Sequence, residues 1–152
     1  MTALRDFVYL VALAWWTGTA LYFGGSATPS IFARFPRGQA GQIVEVMFPG
    51  YYRTAVGTAL VLVAVGLWRL AAGRPRAALA LALIVIMLVF DLAGAFVLQP
   101  RIHALRVQAA QAGPEAPLPP EFGRLHGLSV GASAISLLSA LALWGLVAFS
   151  GL

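Results

Sequence analysis

Residues 77–99 read AALALALIVIMLVFDLAGAFVLQ, with Asp91 as the single charged side chain among 23 positions. An α-helix rises about 1.5 Å per residue, so this segment is long enough to cross the roughly 30 Å hydrocarbon core of a membrane. Strands of a membrane barrel would alternate apolar and polar residues, and that alternation is missing here. The segment therefore predicts a membrane-spanning helix.

Three further apolar runs of similar length lie at residues 7–27, 51–72 and 127–150. The tight link Gly-Arg-Pro-Arg at residues 73–76 predicts that the second and third helices are antiparallel neighbours. The first run could be a secretory signal, but Trp15 and Trp16 are bulky for a signal core. We therefore predict an all-α membrane protein, with residues 1–152 forming a single integral membrane domain built as a four-transmembrane-helix bundle.

The composition of the chain is typical of a membrane protein. Of its 152 residues, 61% are hydrophobic and 10% are charged, against roughly 45–50% and about 25% in soluble domains. This argues against a soluble enzyme and against disorder. The chain has no cysteine, which excludes disulfides and thiolate metal sites. The net charge of +5 comes from arginines scattered between apolar runs, so we expect the lipid bilayer of a bacterial inner membrane, and no nucleic acid, as the partner.

Two long links separate the predicted spans, at residues 28–50 and 100–126. In the first, the apolar stripe at residues 43–47 is spaced for a short interfacial helix between the first two spanning helices, ended by Pro49 and Gly50. An ordinary loop is an equal alternative. In the second link, residues 113–120 contain four prolines and predict an extended strap. The arginines are too evenly divided between the two sides to determine the orientation.

Asp91 is the most informative residue because a carboxylate near mid-membrane costs about 2.5–3.5 kcal/mol on insertion scales. It therefore needs a partner or a proton. The interpretation that we favour is a carboxyl group hydrogen-bonded to neighbouring hydroxyls that fixes helix register; the alternative is a proton, cation or substrate site. Helical rise places four hydroxyl residues at a similar depth, and these form a predicted polar layer: Thr19, Thr58, Ser133 and Ser136.

The second predicted helix is charged only near its ends, at Arg53 and Arg69. Long arginine side chains at such positions can reach the membrane interface. We expect both side chains to snorkel, and Arg53 to approach lipid phosphate rather than Asp91.

His103 and His126 lie at the two ends of the last long link. Two imidazoles could hold haem b or copper, but no thiolate or further histidine is present to complete a metal site. Interfacial hydrogen bonding or helix capping is favoured, and we expect no metal and no cofactor. His126 is the stronger candidate because Ser129 and two charged residues lie close to it in sequence.

Five short motifs occur in order along the chain: Trp16-Thr17-Gly18, PSIF at residues 29–32, FPGYYR at 48–53, Gln99-Pro100-Arg101, and EFGRLHGLS at 121–129. Together they resemble the transmembrane protein 205-like family over nearly the whole chain. The resemblance implies a small four-helix membrane domain and assigns it no reaction. It also implies a set of candidate functional residues: Pro29, Phe32, Pro49, Tyr52, Arg53, Pro100, Arg101, His126 and Ser129.

Three functional hypotheses follow. The first is a non-enzymatic membrane protein that binds a partner, lipid or small solute through its long-link face and polar layer, as a homo-oligomer or in a larger membrane complex. The second is a haem- or copper-handling redox protein that uses His126. The third is a proton- or cation-coupled transport component centred on Asp91, which would need self-association because four helices are few for a lone transporter.

Overall fold

The computed structural model describes residues 2–113 and 117–150, which form helices and no strand. Four helical rods are long and apolar enough to cross a membrane: Ala3–Arg34, Arg37–Ala71, Ala77–Ala112 and Pro120–Phe149. The predicted all-α, four-helix membrane fold is confirmed. The helices within these rods are α1 (Thr2–Tyr22), α2 (Thr28–Arg34), α3 (Arg37–Ala71), α4 (Ala77–Ala93), α5 (Gln99–Ala112) and α6 (Pro120–Ser150). Two π-helical turns, Phe23–Ala27 and Gly94–Leu98, join α1 to α2 and α4 to α5.

The helices extend well beyond the predicted spans on the side of the long links. Helix α3 begins at Arg37 and continues through Pro49. The prediction of a separate interfacial helix ended by Pro49 and Gly50 is therefore wrong, and so is the alternative of an ordinary loop at residues 43–50. A proline removes one backbone donor, but packing against neighbouring helices can hold a helix together across that defect. One buried stripe runs along α3 on both sides of the proline: Ala40, Val44, Tyr52, Ala55, Ala59 and Leu62.

The link at residues 100–126 is also mostly helical, because α5 runs to Ala112. Pro100 lies in the first turn of α5, directly after the π turn Gly94–Leu98, so its missing backbone N–H coincides with an irregularity of the helical rod. Gly113 and residues 117–119 are non-helical, as predicted for the strap, and Gly113 has a φ of +138°. Pro120, the last residue of the predicted strap, is instead the first residue of α6. Residues 114–116 of the predicted strap lie outside the described residues.

The rods pack as a ring in which α3 contacts both α1 and α4, and α6 packs closely on α4 and more lightly on α1. The side chains that fill the centre of the ring come from all four rods, and small residues on α3 and α6 allow close approach. The largest buried side chains are Trp16, Tyr9, Leu13, Leu62, Ile84, Met87 and Leu143. This core fixes the rotation of each helix about its axis, and therefore which polar groups face inward.

The end of the bundle at the short turn is held by ion pairs. Arg69 Nη1 lies 2.8 Å from Asp6 Oδ1, and Arg74 Nη2 lies 3.5 Å from Asp6 Oδ2. Arg69 is only 6% exposed and its guanidinium lies over the Tyr9 ring. The expectation that Arg69 snorkels is therefore wrong, because an acid on the neighbouring helix α1 compensates its charge inside the protein.

Candidate functional site

Two helix irregularities mark the region where α3 passes the junction of α4 and α5. Pro49 interrupts the hydrogen bonding of α3, and the π turn Gly94–Leu98 is followed directly by Pro100. Inserted residues and missing donors are the usual causes of helix bending. The backbones of α3 and α4 run close together, whereas those of α3 and α5 hardly approach each other. A gap between two rods results.

This gap is a cavity of about 1060 Å³, which we call the groove. Pro49 and Pro100 both line it. Its walls at the deeper end are apolar, with Val56 and Leu60 on α3 and Phe96 on the facing rod. Its other end carries polar groups. The complete lining is Gln42, Glu45, Val46, Phe48, Pro49, Tyr52, Arg53, Val56, Gly57, Leu60, Ala95, Phe96, Gln99, Pro100 and His103.

A charged cluster closes the outer end of the groove. Glu45 Oε1 pairs with His103 Nδ1, and Glu45 Oε2 lies 3.8 Å from Arg106 Nε. The Arg106 guanidinium also lies 5.0 Å from the centre of the Phe122 ring and packs against Gly41, where an added Cβ would come within 2.9 Å of Arg106 Cζ. The cluster therefore ties α3, α5 and α6 together where the backbones of α3 and α5 separate.

Arg53 is the other cation that lines the groove. Its side chain is exposed, and Nε donates a hydrogen bond of 3.2 Å to the Pro49 carbonyl oxygen of its own helix. Within the described part of the chain, no carboxylate lies at ion-pairing distance from Arg53. Its approach to lipid phosphate stays a prediction.

Asp91 lies inside the bundle at 3% exposure. Trp16 Nε1 donates a hydrogen bond of 2.9 Å to Asp91 Oδ2. The buried hydroxyl of Ser136 lies near the carboxylate and donates a hydrogen bond of 3.4 Å to the Met87 carbonyl oxygen. The partner that the sequence argument required is therefore an indole N–H from α1, with one of the predicted hydroxyls close by.

Tyr52 connects the groove to this polar interior. It lines the groove, yet it is only 6% exposed, and its ring lies directly over Gly94 in the π turn. An added Cβ on Gly94 would lie 2.6 Å from Tyr52 Cε1. Gln99 Nε2 donates a hydrogen bond of 3.5 Å to Ser129 Oγ, and the Tyr52 hydroxyl lies close to both of these side chains and to Ser133. Gly94 thus allows an α3 side chain to reach α6 across the α4–α5 rod.

Comparison of this sequence with known proteins identifies the family to which it is similar. The family described as "Domain of unknown function (DUF4149)" matches residues 11–111, about two thirds of the chain. The chain belongs to the DUF4149 family. An uncharacterised protein of Aquifex aeolicus (strain VF5) is 28% identical over 135 residues, which cover 89% of this chain and 90% of the relative. No solved structure matches the chain. The part matched by DUF4149 includes every residue that lines the groove.

In this DUF4149 protein, two of the five sequence motifs meet at the groove. From FPGYYR come Phe48, Pro49, Tyr52 and Arg53, and from the motif at residues 99–101 come Gln99 and Pro100. These segments are about 50 positions apart in sequence. Ser129 of a third motif joins them through Gln99 and Tyr52.

The other predicted site residues lie elsewhere. Pro29, Phe32 and Arg101 are exposed and do not line the groove. His126 is exposed, and its ring stacks on Phe122 at 6.0 Å, whereas His103 pairs with Glu45. Within residues 2–113 and 117–150, no group of three or more His, Asp or Glu side chains could hold a metal ion.

The predicted polar layer is assembled only in part. Ser136 is buried beside Asp91, whereas Ser133 lies near the Tyr52 hydroxyl but is exposed on α6. The Thr58 hydroxyl bonds instead to the Thr54 carbonyl oxygen of its own helix at 2.8 Å. Thr19 is half-buried. On α1 it is Thr17 that forms a hydrogen bond across the bundle, because its hydroxyl accepts from Trp144 Nε1 at 3.1 Å. Depth along a helix is therefore not enough to place a side chain in the interior.

Sequence reasoning missed Glu45 and did not recognise Trp16 as a hydrogen-bond donor. Glu45 could have been recognised from the sequence, because it is the one acid in the apolar stripe at residues 43–47. Trp16 had a weaker signal: a buried indole N–H needs an acceptor, and Asp91 is the single acid of the four predicted spans.

Proposed function

We propose that this DUF4149 protein is a non-enzymatic, multi-pass protein of the bacterial inner membrane that binds a membrane lipid in the groove between α3 and the α4–α5 rod. The observation that carries the proposal is the groove itself, with about 1060 Å³ of space, apolar walls at one end and charged side chains at the other. That volume is at the upper end of the roughly 300–1,000 Å³ typical of small-molecule sites, and suits a ligand with a long chain.

The depth of the groove supports a lipid as the occupant. Helix α3 has 35 residues and is about 52 Å long, whereas the hydrocarbon core is about 30 Å thick, or about 20 residues of helix. Counted back from Ala71 at the short turn, the core ends near Tyr51. Val56 and Leu60 then lie at the depth of acyl chains. The Cα of Arg53 lies about 3 Å inside this boundary, from where a long side chain reaches the level of the phosphates, and Glu45 lies about 9 Å outside it. The polarity of the groove thus follows that of a lipid.

The contacts of the two histidines favour the groove over the haem or copper hypothesis. The imidazole of His103 already pairs with Glu45, and that of His126 stacks on the Phe122 ring at the surface of α6. Purified protein with haem absorption or stoichiometric copper, lost in a His126→Ala variant, would support that hypothesis instead. The resemblance to the transmembrane protein 205-like family is compatible with a lipid-binding role and does not require one.

The proposal is tested with a phospholipid that carries a photoreactive diazirine in its acyl chain, incorporated into nanodiscs with the purified protein. Mass spectrometry of the crosslinked peptides should show labelling at residues 56–60 and 95–96 in clear excess over Leu138. Leu138 is 65% exposed on α6 and does not line the groove, so it reports ordinary contact with bulk lipid.

A groove-filling variant makes the test specific. Leu60→Trp adds bulk inside the groove and should reduce labelling of residues 95–96 several-fold. Leu67→Trp is the matched control, because Leu67 is similarly exposed on the same helix, at 52% against 53% for Leu60, and lies outside the groove. Equal labelling of the groove and of Leu138, unchanged by Leu60→Trp, would overturn the proposal.

A further inference from the structure

We infer that the groove selects a phospholipid with a net negative headgroup and that Arg53 holds its phosphate. The inference rests on the proposed function and adds the class of lipid. It depends on how the charges around the groove are already partnered.

The carboxylate of the groove is already occupied. Glu45 is the one acid in the groove lining, and its two oxygens face two different side chains, the imidazole of His103 and the guanidinium of Arg106. An ammonium group of a zwitterionic headgroup would therefore have to displace an existing partner from Glu45. The groove offers such a headgroup no free carboxylate.

Once Glu45 is paired, the charge that remains in the groove lining is positive. Arg53 lines the groove, its side chain is exposed, and the bond from Nε to the Pro49 carbonyl leaves both terminal nitrogens available. A guanidinium group binds phosphate oxygens through two parallel N–H bonds, and an arginine without a counter-charge at the membrane boundary is stabilised by such a partner. Among the groups that the structure describes around Glu45, the cations Arg53 and Arg106 outnumber this one acid, which favours a headgroup whose phosphate charge is not cancelled by an ammonium.

The spacing along α3 fits one lipid molecule. Arg53 lies eight residues after Glu45 and seven before Leu60, which is about 12 Å and about 10 Å along the helix. A phosphate at Arg53 would thus place its glycerol and acyl chains beside Val56, Leu60 and Phe96, which line the apolar end. The remainder of the headgroup would lie towards the charged cluster at Glu45.

The test compares two photoreactive lipids with identical acyl chains, a phosphatidylglycerol and a phosphatidylcholine, each in nanodiscs of neutral lipid. The wild-type protein should crosslink the anionic probe at residues 56–60 and 95–96 about tenfold more than the zwitterionic probe, because the excess of cations at this end of the groove repels the choline ammonium. Arg53→Gln should abolish this preference, because it should lower phosphatidylglycerol labelling more than phosphatidylcholine labelling. Arg37→Gln, at an exposed arginine of the same helix outside the groove, should preserve it.

The outcomes separate this inference from the proposed function. Equal labelling of the groove by both probes, or a preference that survives Arg53→Gln, would overturn the choice of headgroup and leave the lipid groove intact. Labelling by neither probe above the level at Leu138 would overturn both. Loss of the preference in excess inorganic phosphate, with phosphatidylcholine labelling unchanged, would identify free phosphate as the ligand of Arg53 and overturn the headgroup assignment.

Discussion

The indole of Trp16 donates a hydrogen bond to the carboxylate of Asp91 across 75 positions of sequence, with Nε1 and Oδ2 separated by 2.9 Å. Both residues are almost completely buried, at 2% and 3% exposure. The bond joins α1 to α4, two helices on opposite sides of the ring formed by the four rods. Asp91, whose burial in the membrane interior costs free energy, thereby connects two helices through a defined hydrogen bond.

Trp16→Phe should therefore destabilise the protein by about 1–3 kcal/mol, the cost of leaving a buried acceptor without its donor. The measurement is thermal or denaturant unfolding in detergent micelles. Trp15→Phe is the matched control, because Trp15 is its neighbour in sequence, is 62% exposed and should give almost no change. Equal effects at the two tryptophans would show that the hydrogen bond to Asp91 contributes little to stability.

Gly94→Ala should destabilise the bundle by about 1–3 kcal/mol because the new methyl group overlaps the buried Tyr52 ring. Gly131→Ala on α6 is the control, because an added Cβ there meets no atom within 4 Å. That change should be neutral or stabilising by up to about 1 kcal/mol through helix propensity. Unfolding of the two variants under identical conditions checks the prediction, and a Gly94→Ala protein as stable as wild type would contradict it.

Asp6→Asn should cost about 3 kcal/mol, because it leaves the buried Arg69 guanidinium without its anionic partner. Glu121→Gln removes an acid of the same charge from an exposed position in the first turn of α6, and should cost less than about 1 kcal/mol. Unfolding measurements in detergent compare the two. If added salt destabilised the wild type as much as Asp6→Asn does, the ion pair would be solvent-screened rather than buried.

Changes of charge at the outer end of the groove should alter lipid preference in opposite directions. Glu45→Gln removes the carboxylate that engages His103 and Arg106, so the preference for the anionic probe over the zwitterionic probe should rise several-fold. Gln42→Glu adds a negative charge to the same lining and should lower the preference. The crosslinking assay in nanodiscs measures both. Shifts in the same direction for the two variants would argue against electrostatic selection.

Part of the candidate site was predictable, because the sequence shows where a charged side chain would have to enter the hydrocarbon core at a cost in free energy. Asp91 stands out among apolar residues, and Arg53 and the motif FPGYYR precede the predicted start of a span. The ends of the helices were not predictable in the same way. Pro49 predicts a helix end by local propensity, but α3 passes through it because the buried stripe on either side packs against the other rods.

The partners of the site residues depended on the rotation of each helix about its axis. An extra residue in a helix rotates everything after it by about 100° relative to regular α-helical spacing, and the π turn Gly94–Leu98 stands before Gln99 and His103. Regular counting from Asp91 therefore gives the wrong face for both. This is why the contacts of Gln99 with Tyr52 and of His103 with Glu45 could not be read from spacing.

The sequence alone determined that this protein is four apolar helices, because the free energy of crossing a membrane is a sum over consecutive residues and needs no knowledge of what they touch. Only the tertiary structure decided that Trp16 meets Asp91 and that Arg69 is paired with Asp6. It alone also decided that α3 and α5 separate to form a groove. These features depend on the angles and rotations at which complete helices pack, and those are set by all of the side chains of the bundle together.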